Sequence, residues 1–90
     1  MIKAVLIDDD ANLRKGMKAL IYKYAPDIRV VGEAEGITDA INVINAKMPQ
    51  VVFLDIQLSE GTVFDILKKL KEIHGNISFQ VVFITAFEQY

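Results

Sequence analysis

The chain has 90 residues, room for one small domain that buries roughly 60–65% of its unfolded surface. Hydrophobic residues at 52% and charged residues at 24% exclude a disordered or collagen-like chain, and a net charge of −2 leaves no footprint for nucleic acid or an anionic membrane. The absence of cysteine excludes disulfides, thiolate zinc sites and a cysteine nucleophile. The apolar start carries Lys3 and is too short for a signal peptide, and no apolar run approaches the about 20 residues of a membrane span, so a cytoplasmic protein is expected.

Lys3-Ala4-Val5-Leu6-Ile7 reads as a buried strand that runs into three successive acids, Asp8, Asp9 and Asp10. Leu13, Met17, Leu20, Ile21 and Tyr24 then recur at helical spacing, with Arg14, Lys15, Lys18 and Lys23 on the other faces, and Asp10 stands where a helix cap is wanted. Pro26 and Asp27 end that helix. Residues 28–34 alternate only in part, as in a strand nearer a sheet edge. Gly36 opens a second helix with Ile37, Ala40, Ile41 and Ile44 on one face, bounded by Pro49.

Val51-Val52-Phe53-Leu54 is a short apolar run that ends in Asp55, as expected of a strand covered on both faces with a carboxylate at its carboxyl end. Ser59-Glu60-Gly61 reads as a turn. Thr62 with Asp65 resembles a capping box ahead of a third helix carrying Val63, Leu67 and Leu70, closed by Gly75-Asn76. Phe79 to Thr85 reads as a fourth buried strand. The alternation β-α-β-α-β-α-β implies a parallel sheet with right-handed crossovers. Asp8, Asp9 and Asp55 converge if the first and third strands are neighbours, which selects the flavodoxin-like order 2-1-3-4.

Three carboxylates gathered at one strand end repel one another by about 4 kcal/mol per pair at ~4 Å and an effective dielectric of 20. A raised pKa or a bound cation relieves such crowding, and all-oxygen ligands with water access describe magnesium better than a closed calcium cage. Thr85 adds a hydroxyl at the end of another strand, with the small Ala86 beside it.

Asp8-Asp9, Asp55 and Thr85-Ala86, each after an apolar strand, resemble the receiver domain of two-component response regulators, with a flavodoxin-like (CheY-like) fold. Leu54-Asp55-Ile56-Gln57-Leu58 and Thr85-Ala86-Phe87-Glu88-Gln89-Tyr90 are most similar to receivers attached to LytTR-type DNA-binding domains. The resemblance implies that Asp55 accepts a phosphoryl group from a histidine kinase. It further implies that Asp8, Asp9, Asp55 and the backbone carbonyl of Gln57 hold Mg2+, Asp9 directly and Asp8 largely through water, and that Thr85 is the switch hydroxyl. By the same resemblance, the side chains of Gln57 and Glu88 occupy positions that tune hydrolysis in the family. By the resemblance, an output domain, a DNA-binding one, is expected outside the 1–90 receiver domain, which itself is expected to contact no nucleic acid.

Against the family pattern, a fifth strand with its phosphate-binding lysine and a fifth helix are missing. The expectation is therefore a C-terminally incomplete receiver with an exposed apolar edge at its fourth strand, prone to form a homodimer or swapped assembly. His74 reads as a helix-end residue, the tyrosines as packing or surface residues, Met17 and Met48 as core filler, and Lys68, Lys69 and Lys71 as a solvated face. Two rival readings are an aspartyl-phosphate-forming phosphatase, which wants an acid where Gln57 stands, and a receiver-like interaction module that acts without phosphorylation. A nucleotide or flavin module is disfavoured by the lack of a glycine-rich phosphate loop.

Overall fold

A computed structural model describes residues 1–55, 57–58, 61–74 and 78–84. The elements run in the order β1 (Ile2–Ile7), α1 (Ala11–Tyr24), β2 (Ile28–Ala34), α2 (Ile37–Lys47), β3 (Val51–Asp55), β4 (Gln57–Leu58), β5 (Gly61–Thr62), α3 (Val63–His74) and β6 (Gln80–Ile84). Four strands form one parallel sheet in the order β2-β1-β3-β6, which is the expected 2-1-3-4 arrangement. β4 and β5 pair antiparallel, Gln57 with Thr62 and Leu58 with Gly61. α3 begins at the residue after Thr62, the expected cap position. Ser59, Glu60, Gly75, Asn76, Thr85, Ala86 and Glu88 lie outside the described residues.

β1 is central, so Ala4, Val5, Leu6 and Ile7 are all buried. Strand side chains alternate between faces. Val5 and Ile7 join Val52 and Leu54 under α2 and α3, in a core completed by Ala34, Ala40, Ile44 and Leu70. Ala4 and Leu6 therefore point to the other face, toward α1.

α1 departs from its expected packing. Ile21 is its buried residue, whereas Leu13, Leu20 and Tyr24 are exposed. The helix leans on β2 along the side that carries Arg14, Lys18 and Ile21, which turns the Leu13–Leu20–Tyr24 side of the stripe away from the sheet. Arg14 stands seven residues before Ile21, so the two share a helix face, and Arg14 belongs to the packed side and not to the solvated one. Lys68, Lys69 and Lys71 are exposed, as expected.

Two further expectations are corrected. Met48 is 59% exposed and not core: it ends α2 in the left-handed region (φ 47°), its N–H donating to the Ile44 carbonyl. The chain must turn sharply there to bury Pro49 and enter β3. β6 is not buried along its length. Among the described strands it pairs with β3 alone, and Val82 and Phe83 are exposed.

β2 carries a bulge. Ala4 pairs with Val30 but Val5 pairs with Gly32, which leaves Val31 as the extra residue. Val30 lies on the α1 side, near Lys18 and Ile21, while Val31 packs on the α2 core. Past the bulge the alternation is inverted. Gly32 now faces α2, so closely that a Cβ there would stand 2.6 Å from Val43 Cγ1. Glu33 faces α1, and Ala34 returns to the core.

Candidate functional site

The acids come together through strand register. Ile7 pairs with Leu54 in the parallel β1–β3 ladder, so Asp8 and Asp55, one residue further along each strand, emerge side by side. Asp9 follows from the same loop. One carboxylate oxygen from each of Asp8, Asp9 and Asp55 lies within 4.8 Å of the others. Asp8 and Asp55 are buried, each 4% exposed, and Asp9 is exposed on the rim.

The loop between β1 and α1 is held at several points. The Asp8 N–H donates to the Ala34 carbonyl at 3.0 Å, which carries the β1–β2 ladder one residue beyond the strand. Asp8 Oδ1 accepts from the Asp10 N–H at 2.9 Å. Asp10 is the cap of α1: its Oδ1 accepts from the N–H groups of Asn12 at 2.8 Å and Leu13 at 3.2 Å, so it is a structural acid and not a ligand. Arg14 Nη1 donates to the Asp8 carbonyl oxygen at 2.6 Å.

Burial is the main force that raises the Asp8 carboxyl above its ordinary pKa; the Asp10 N–H works against it, and the charges of Asp55, Asp9 and Asp10 push the same way as burial. Such a cluster favours a cation. The three oxygens lie close enough together that one hard divalent ion could be held among them. The donor set is all carboxylate, open on the Asp9 side, and fits a hard divalent ion that keeps several waters.

Thr85 follows Ile84, the register partner of Asp55, but lies itself outside the described residues. Gln57 is placed at the start of β4, two residues beyond Asp55.

The response regulator receiver domain family matches residues 4–90. The chain belongs to this family. Over all 90 residues it is 34% identical to the sensory transduction protein LytT of Bacillus cereus and 33% identical to the transcriptional regulatory protein BtsR of Salmonella typhi, of which it spans 35% and 36%. It thus spans about a third of the length of these curated relatives. A crystal structure of a DNA-binding response regulator of the LuxR family from Staphylococcus aureus superposes with a TM-score of 0.81 at 25% identity, over 99% of this chain and 72% of that one. The receiver fold and the phosphatase alternative are thereby separated in favour of the receiver.

Sequence reasoning missed Arg14 as a residue of the site. The available signal was a charge seven residues before Ile21, on the face that had to pack.

Proposed function

We propose that this receiver accepts a phosphoryl group on Asp55 from the phosphohistidine of a partner kinase in the cytoplasm, and passes the signal to an output domain, a DNA-binding one being the reading that the likeness to LytT and BtsR supports. The observation that carries the proposal is the convergence of Asp8, Asp9 and Asp55 within 4.8 Å, two of them buried. Asp8 and Asp9, with Asp55 and the Gln57 backbone carbonyl, would hold Mg2+. When bound, the ion supplies positive charge against the transferring phosphoryl oxygens.

The remaining chemistry falls to the chain. A carboxylate oxygen of Asp55 attacks phosphorus, an O–P bond forms, the P–N bond to the donor imidazole breaks and its electron pair stays on nitrogen. Burial of Asp55 at the end of β3 limits water access to the acyl phosphate. The fixed loop at Asp8 holds its carboxylate in place before the donor arrives, which lowers the ordering required in the transition state. Thr85 is assigned the switch hydroxyl, donating to a phosphoryl oxygen once it is on Asp55. The chain acts as an acceptor and not as a turnover catalyst.

Acetyl phosphate with Mg2+, read by intact mass, tests this. Wild type should gain one phosphoryl group and Asp55→Asn none. A folded wild type that gains nothing overturns the proposal.

A further inference from the structure

We infer that Arg14 is a positioning residue for the cation site, acting through the backbone of Asp8 and aimed by Glu33; the inference rests on the reading that Asp8, Asp9 and Asp55 hold a divalent cation. The Arg14 side chain is 16% exposed. Its Nη1 donates to the Asp8 carbonyl at 2.6 Å, and its Nε donates to Glu33 Oε1 at 3.1 Å. The other oxygen of Glu33 accepts from Lys18 Nζ at 2.7 Å. A guanidinium is a rigid planar fork, so once Glu33 fixes Nε the direction of Nη1 toward Asp8 is largely set.

Glu33 reaches this position because of the bulge at Val31. Were residues 30–33 to alternate without a bulge, the pattern that places Val30 on the α1 side would carry Glu33 to the α2 side. The bulge, Glu33 and Arg14 thus form a strut from the edge strand to the acid loop. With it in place, Asp8 is held at its N–H by Ala34, at its carbonyl by Arg14 and at Oδ1 by Asp10.

Charge alone predicts the reverse role. A guanidinium beside three carboxylates opposes a second cation, so a mere counter-charge would make the site bind more tightly when removed. Glu33 shares its single charge between Arg14 and Lys18 and offsets only part of that repulsion, and the role assigned to Arg14 is the geometric one. Groups behind a metal ligand that fix its orientation typically change affinity by about 10- to 100-fold.

Calorimetric titration with Mg2+ decides between the two. Arg14→Gln should bind about 10-fold more weakly than wild type, and Arg14→Lys should fall between them, because an ammonium reaches the Asp8 carbonyl or Glu33 but does not bridge both as the fork does. Ile44→Ala, a core variant on α2, is the stability control, measured alongside by urea unfolding in EDTA; it should keep the wild-type affinity while folded. Equal or tighter binding by Arg14→Gln overturns the inference and leaves the cation site standing. If Arg14→Gln does not fold, Arg14→Lys decides, and wild-type affinity in that variant overturns it. A folded wild type that binds no Mg2+ sinks the cation site itself, and the positioning role with it.

Discussion

The two faces of the sheet are held by different physics. Under α2 and α3 the contacts are apolar: Val5, Ile7, Val52 and Leu54 of the strands meet Ala40, Ile44 and Leu70 of the helices. Over α1, one helix residue is buried, and the helix is fastened by the Asp10 cap and by the ion pairs of Arg14 and Lys18 with Glu33. Close packing is stiff but has no direction of its own, whereas charged hydrogen bonds specify angle as well as distance. The acid loop sits on the face where direction is supplied. The difference teaches that this fold obtains its stability mainly from one side and the geometry of its site from the other.

Leu54→Ala should show the largest effect. Leu54 is fully buried in the α2 face, and its truncation should cost about 2–5 kcal/mol in urea unfolding. A loss as small as that of a surface variant would break the comparison on its packed side. Gly32→Ala comes next. Its added methyl would meet Val43 Cγ1 at 2.6 Å, on a β-branched side chain that cannot swing clear within a helix, so a loss of about 1–3 kcal/mol is expected.

Glu33→Gln should show the smallest effect, below about 1 kcal/mol at neutral pH, since the pair is partly solvated. Its pH dependence sharpens the comparison. The Lys18 hydrogen bond foremost, and then Arg14, hold the Glu33 carboxyl below its ordinary pKa against the opposing effect of burial. A depressed acid contributes stability that is complete above its unfolded pKa and is lost as pH falls through its folded one. The gap between wild type and Glu33→Gln should therefore close as the solution is made more acidic than the ordinary glutamate range. Urea unfolding as a function of pH, showing a constant gap, would remove the ion pairs as a fastening of α1.

Much of this was legible in the sequence. Apolar runs ending in acids mark β1 and β3, because a strand covered on both faces tolerates charge only at its end, and the need to bring Asp8 and Asp55 together selected the strand order that is found. Asp10 as cap followed from local chemistry. The parts that were not legible depend on partners distant in the chain. Arg14 and Glu33 are separated by 19 residues, and no periodicity relates them. The exposure of Leu13 and Leu20 follows from the way α1 leans on β2, which an apolar stripe does not specify. Met48 looked like a core residue by composition, yet the turn into β3 placed it in a left-handed conformation at the surface.

The extra residue at Val31 constrains how this strand can change over evolutionary time. Single substitutions along residues 28–34 alter one face locally; loss of Val31 would leave Val30 and Gly32 in regular alternation, with Glu33 still opposite Leu6. If instead the bulge were straightened with every residue kept, the carboxylate of Glu33 would turn into the apolar layer beneath α2 and Arg14 would lose its guide, without any acid of the pocket being touched. A strand one residue shorter can therefore keep the same brace, whereas a straightened ladder of the present length cannot.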